Sequence, residues 1–197
     1  GLSTDRVKTA AQSLYSRGYC TYIRTDSTNI ASSAIDAIRN YISANHEAKY
    51  LPTKANIYIT KQKNAQEAHE AIRPIDINIT SCTGTSDEQK LYEMIWRRTV
   101  ACQMMAEKVL RTTAEFSVAD GYILGANGSK QLFDGWRKVW TYGGGDDQFL
   151  PELKIGETVT LLDITTEKKE TQPPSRYSEG AFIKELEKRG IGRPATY

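Results

Sequence analysis

Cysteine is scarce in this chain: Cys20, Cys82 and Cys102 are the three among 197 residues. They lie far apart, with no C-x-x-C and no histidine pair nearby, which argues against a zinc site and leaves no metal ligands to expect here. An odd, sparse count also argues against a secreted disulfide scaffold and suits a reducing cytoplasm. Long apolar runs are missing too. No stretch approaches the ~18 residues of a membrane helix, and no signal-peptide pattern opens the sequence, so no membrane partner is expected. Net charge is small: 26 Lys and Arg against 24 Asp and Glu leave +2, too little to call for nucleic acid by itself. There is no internal repeat. An initiating methionine is absent as well, and Tyr197 directly follows a helix-ending pattern. Both features lead to the expectation of a piece of a longer protein.

What is present reads as a folded chain of one or two domains. Hydrophobic residues make up 39% and charged residues 25%, ordinary globular usage that excludes disorder as the main state. Val7, Ala10, Ala11, Leu14 and Tyr15 recur at helical spacing, and Gly18 can end that helix in the left-handed conformation. A short β-prone run, Tyr19 to Ile23, follows. Ser33 with Asp36 suggests a capping box for a second helix whose Ile35, Ile38 and Ile42 share one face. A strand is expected at Ile57 to Thr60. A short helix is expected from Asn64, stopped by Pro74. The longest helix, about 88–108, is expected to be capped by Ser86, with Leu91, Met94, Ile95 and Cys102 inward.

Near residue 112 the pattern turns to strands: Thr112–Ala119, Tyr122–Ala126, Lys130–Val139 and Thr158–Thr165. Asp120-Gly121 and Asn127-Gly128 read as their turns. Ser178 then caps a last helix, with Phe182, Ile183 and Leu186 inward and Gly190 at its end. The expected fold class is therefore α+β: a helical unit (1–111), a β-rich unit (112–170) and the start of a third element (171–197). Charge follows these pieces. Residues 142–170 hold seven acidic and three basic residues, residues 171–197 five basic and three acidic, and residues 54–73 four basic and two acidic plus His69.

Four stretches could carry chemistry. In an extended Tyr22-Ile23-Arg24-Thr25-Asp26, Tyr22 and Arg24 share a face. A tyrosine attacking a phosphodiester needs such a neighbour, because a guanidinium can fork onto the phosphate oxygens that gather charge and ease formation of the phenolate. Taken alone, the pair reads more simply as edge-strand packing. In the run from Asn64 to Pro74, His69 and Arg73 are four apart on one helical face, a candidate phosphate contact or proton shuttle or simply a surface pair. The run Leu91 to Val100 reads as core. The glycine-punctuated basic exit from the last helix, through Arg193 to Thr196, suits contacts to phosphates or a linker.

Taken together and in this order, these stretches resemble the type IA DNA topoisomerases, in particular their bacterial topoisomerase I branch. The matching segments are GYCTYIRTDST, NAQEAHEAIRP, LYEMIWRRTVACQM, FDGWRKV and PPSRYSEGAFIKELEKRGIGRPATY, spread from residue 18 to 197. The resemblance implies that Tyr22 is the nucleophile that joins the 5′ phosphate of a broken single strand. Arg24 matches the arginine that positions the scissile phosphate, and His69 matches a histidine near it. Arg73, Arg193 and Thr196 become candidate DNA contacts, the last two in the segment of the strand-binding domain. The helical unit would be the movable gate of a multidomain toroidal enzyme and the β-rich unit part of its hinge arch.

The parent would relax negatively supercoiled DNA without ATP, acting on single-stranded or underwound DNA at the bacterial nucleoid in the cytoplasm. The family's acidic toprim domain, with its D-x-D-x-E pattern, has no counterpart here. Magnesium is accordingly expected to be bound by the parent outside this chain, with none bound by the chain itself. The toprim portion and the remaining arch strands would be its partners in the same polypeptide, and the chain alone is expected to be inactive. A non-catalytic single-strand-binding scaffold, or the gate of a related recombination or plasmid-mobilisation protein, stands as the alternative.

Overall fold

Short-range signals set most of the helices. The computed structural model describes residues 2–59, 70–145, 147–192 and 196. Helix α1 spans Thr4–Ser16 and buries Ala10 and Leu14. It stops where expected: Gly18 takes a positive φ of 74°, and Tyr19 N–H returns to Leu14 O at 2.9 Å. Helix α2, Ser32–Asn45, buries Ala34, Ile35, Ile38 and Ile42, the stripe expected from their spacing. The Ser33–Asp36 capping box is not used. The N-cap is Ala31, without a side-chain cap, and its N–H instead donates to Glu70 Oε1 at 2.7 Å.

Helix α3 spans Ser86–Cys102, so it ends earlier than the expected 108. Its cap is Thr85 rather than Ser86: Glu88 N–H donates to Thr85 Oγ1 at 3.3 Å, and Thr85 N–H to Glu88 Oε2 at 2.6 Å. The inward face also differs. Tyr92, Thr99, Val100 and Ala101 are buried, Leu91 and Ile95 are half-buried, and Met94 is exposed. Leu14, Cys20, Cys82 and Tyr92 form a core cluster, with Tyr19, Ile23, Leu91, Ile95 and Trp96 packed around it. Two polar anchors fix it, since Tyr92 Oη donates to Ile79 O at 2.7 Å and Trp96 Nε1 to Ile77 O at 2.9 Å. Helix α4, Glu179–Lys188, is capped by Ser178 as expected. Its apolar side is not a core face: none of its residues is buried, and Phe182 is exposed.

The expected strands at Tyr19–Ile23 and Ile57–Thr60 do not form as strands among the described residues. The first keeps a single antiparallel bridge, Cys20 to Pro74, and Ile57–Ile59 is irregular. Most of the expected helix from Asn64 lies outside the described residues. The β elements are β1, Lys108–Ser117, and β2, Ile123–Phe133, an antiparallel ribbon in which Ser117 faces Ile123 and Thr112 faces Gly128. Asp120-Gly121 is the turn, with φ of 61° and 80°. Asn127-Gly128 is not one. Gly128 sits inside β2 because the neighbouring chain passes so close that a Cβ there would meet Gln148 O at 2.8 Å. Tyr122–Ala126 and the first part of Lys130–Val139 therefore belong to one strand, which ends at Phe133; Gly135–Lys138 is a 3-10 turn instead, and Thr158–Thr165 is not a strand. The fold class is α+β.

The chain divides into two compact units. One comprises Gly1–Glu107, Asp134–Tyr142 and Tyr177–Tyr197, and holds the four helices. The other comprises Lys108–Phe133 and Gly143–Arg176, and holds the ribbon. In the second, Gln148 adds a bridge to Ser129, and Gln131 N–H donates to Asp147 Oδ1 at 3.0 Å.

Candidate active site

The segment that follows α1 is anchored before it reaches Tyr22. Cys20 is fully buried in the core cluster. Thr21 N–H donates to Arg73 O at 2.9 Å, and Ile75 N–H to Tyr19 O at 3.1 Å, so residues 19–21 and 73–75 run as a minimal antiparallel pair. The Thr21 hydroxyl adds two more bonds, donating to Ala71 O at 2.8 Å and accepting from Arg73 N–H at 3.0 Å. Beyond this anchor the chain alternates: Tyr22 is 42% exposed, Ile23 packs on the core, and Arg24 is exposed. Tyr22 and Arg24, two residues apart, are thus both open to solvent. The Tyr22 ring meets Tyr15 edge-on, with centroids 5.4 Å apart.

Several other nucleophiles of the same unit are held back, although Tyr15, against the Tyr22 ring, is itself exposed. Burial pushes the Cys20 thiol up to about 11, and it also raises Cys82 and Cys102, so these thiols stay protonated near neutrality. Tyr92 is buried, which raises its phenol to about 12. Tyr19 is half-buried against Tyr92, and its hydroxyl lies 3.2 Å from Thr83 Oγ1. A hydrogen bond with that Thr83 hydroxyl lowers the Tyr19 pKa, yet the ring is held in the wall of the core. Tyr22, by contrast, is exposed, two residues before the exposed Arg24.

The loop that carries Tyr22 and Arg24 closes on the segment that anchors it. Ser27 is buried, and its N–H donates to Thr25 Oγ1 while its Oγ accepts from Asn29 N–H. Asn29 O then accepts from Ala71 N–H at 2.8 Å, and Ala31 N–H reaches Glu70. Both ends of residues 21–31 are thus tied to residues 70–73. Thr21 and Glu70 are not legible as site residues in the sequence. Their partners lie about fifty and forty residues away, and only their adjacency to Tyr22 and His69 hints at them.

The remaining candidates divide. Arg73 does not reach outward: Nε and Nη2 donate to Glu70 at 2.7 and 2.9 Å, Nη1 donates to Pro74 O at 2.9 Å, and its side chain is 16% exposed. Thr196 is exposed. His69 and Arg193 lie outside the described residues. Among the described residues, no group of three His, Cys, Asp or Glu side chains is placed to hold a metal ion. No described helix is long and apolar enough to cross a membrane.

A family model described as DNA topoisomerase matches residues 1–197. Proteins named DNA topoisomerase 1 from Vibrio cholerae and Escherichia coli are 45% and 46% identical to the chain over 201 and 202 residues. Each match takes in 100% of this chain and 23% of the relative, so the chain spans about a quarter of their length. The structure of full-length topoisomerase I from Thermotoga maritima matches with a TM-score of 0.85 at 33% identity, covering 100% of this chain and 33% of that one.

Proposed function

The chain belongs to the DNA topoisomerase family, and on that premise we propose that it is the nucleophile-bearing gate of a longer enzyme that relaxes negatively supercoiled DNA. In this reading Tyr22 Oη attacks a backbone phosphorus of one strand. The P–O3′ bond breaks, the phenolic proton is given up, and the departing O3′ takes a proton to become a free 3′ hydroxyl. A 5′-phosphotyrosine remains. It conserves the energy of the broken diester, so strand passage and resealing by the reverse step need no ATP.

The observation that carries this reading is the exposure of both Tyr22 and Arg24, two residues apart on a loop bound at both ends to residues 70–73. Arg24 can fork onto the non-bridging oxygens as charge gathers there, while the fixed loop keeps the two groups in register. We assign His69 a supporting role at the same phosphate, and Arg193 and Thr196 contacts to the bound strand. The magnesium site belongs, in this proposal, to the acidic domain of the same polypeptide, and no step of the reaction above passes through it. The enzyme would act on single-stranded or underwound DNA in the bacterial cytoplasm, at the nucleoid.

The test is Tyr22→Phe in the full-length protein. The covalent DNA adduct should disappear while DNA binding and the thermal midpoint stay near wild type. An adduct that survives the substitution overturns the assignment.

A further inference from the structure

Arg73, a candidate DNA contact by sequence, has its guanidinium occupied. Nε and Nη2 form a two-pronged bond to Glu70 and Nη1 caps Pro74 O, which uses all three nitrogens and leaves the side chain mostly covered. Glu70 is equally committed. Its Oε1 accepts from Arg73 Nε and from Ala31 N–H, and its Oε2 accepts from Arg73 Nη2. Ala31 is the N-cap of α2, where backbone N–H groups lack intrahelical partners, so the carboxylate also meets the positive end of that helix. The backbone between the two residues holds the rest of the loop. Ala71 N–H donates to Asn29 O, Ala71 O accepts from the Thr21 hydroxyl, and Arg73 O accepts from Thr21 N–H.

We propose that Glu70 and Arg73 form a clamp that positions Tyr22 and Arg24: their ion pair fixes the local shape of residues 70–73, and that short stretch closes the loop 21–31 at both ends. They are positioning residues, and neither touches the DNA. The inference rests on the reading of Tyr22 as nucleophile. It changes the role of Arg73 from phosphate contact to internal support. A planar fork cannot be replaced by an ammonium without losing one prong, so lysine is a poor substitute here.

The consequence separates the clamp from a phosphate contact. An arginine that neutralises a phosphate contributes to affinity and to its salt dependence, and its loss lowers the slope of log K against log salt by about 1. A positioning residue leaves affinity and slope alone and slows the chemical step, because small misplacements of a nucleophile cost about tenfold to a hundredfold in rate.

The experiment uses the full-length protein with Arg73→Lys, Arg73→Ala, Glu70→Gln and the double variant Glu70→Gln/Arg73→Lys. A labelled single-stranded oligonucleotide serves as the probe. Binding is measured across a salt series, and the rate of adduct formation is measured at saturating DNA. The expected result is a rate lower by about tenfold or more, with affinity and salt slope unchanged, and a double variant no slower than the worse single one. A weakened affinity with a reduced slope would return Arg73 to the DNA interface. A saturated rate equal to wild type in the folded single variants would reduce the pair to ordinary structural support. Should Arg73→Ala fail to fold, the lysine and glutamine variants carry the comparison. Tyr22→Phe run alongside keeps the two ideas apart: loss of its adduct with normal clamp variants overturns the clamp alone, and persistence of its adduct overturns the site reading.

Discussion

Gly135 and Gly18 offer a way to weigh close packing against backbone conformation in one molecule. Both have positive φ, 51° at Gly135 and 74° at Gly18. They differ in surroundings. A Cβ on Gly18 would find nothing within 4 Å, whereas one on Gly135 would lie 2.6 Å from Ala106 C and O and from Glu107 N. Those are backbone atoms with little room to yield, because Trp136 N–H donates to Met105 O at 2.9 Å, Met105 N–H to Tyr50 O at 2.8 Å, and Arg137 holds Glu107 at 2.8 Å. Alanine at Gly18 should therefore incur only the left-handed penalty of about 1–2 kcal/mol, offset by up to about 1 kcal/mol through a stiffer unfolded chain.

Alanine at Gly135 adds an overlap of the kind that costs about 1–3 kcal/mol in overpacked sites. The two variants should then differ by about 1–3 kcal/mol. Urea unfolding followed by tryptophan fluorescence suits the comparison, since Trp96, Trp136 and Trp140 all lie in the helical unit. The midpoint should fall further for Gly135→Ala, with the slope m unchanged. Equal midpoints for the two variants, or a larger drop at Gly18, would refute the packing argument.

Arg24→Ala should change stability by no more than about 0.5 kcal/mol, because the side chain is exposed. In the full-length protein it should slow adduct formation by roughly a hundredfold, and quench-flow cleavage with a denaturation curve reads both. Acid should weaken the helical unit through Glu70. Burial pushes its carboxyl up, but hydrogen bonds from Arg73 and from Ala31 N–H outweigh this and hold it below its ordinary value. The unfolded chain then binds the proton first. The stabilisation is complete above the ordinary carboxylate range, near ~4.3, and is lost as pH falls from there through the lower folded value. Urea midpoints across that range should drop less steeply in Glu70→Gln than in wild type, and identical slopes would remove Glu70 from the account. The 197-residue chain alone should give no adduct with a single strand and magnesium, since the acidic domain proposed to hold the metal is not part of it. It should still bind the strand weakly and lose affinity as salt rises, which fluorescence anisotropy can follow; a robust adduct would place the missing chemistry inside this chain.

Signals confined to a few neighbouring residues are legible in the amino-acid sequence. Gly18 ending α1, the isoleucine stripe of α2, the Asp120-Gly121 turn and the Ser178 cap all depend on local backbone preference or on one helical period, and each is where its residues put it. The exposed display of Tyr22 and Arg24 also follows from alternation about Ile23. Features that depend on distant partners are not legible in this way. Thr85 and Ser86 are both good caps, and the choice goes to Thr85 because its box partner Glu88 is also engaged by Arg17, 3.5 Å away at the end of α1. Asn127-Gly128 has the composition of a turn, yet the close passage of Gln148 makes Gly128 a strand residue. Arg73 has the composition of a phosphate contact, yet its fork goes to Glu70 three residues before it, whose carboxylate is also held by Ala31 N–H, 39 residues away. Sequence alone determined which residues are candidates for chemistry and where α1 and α4 stop, because those are properties of single side chains and short backbone runs. Tertiary structure decided which of those residues stay available, because a hydroxyl such as that of Thr21, or a carboxylate such as that of Glu70, already engaged by backbone groups forty or fifty residues away, has little left to offer a ligand.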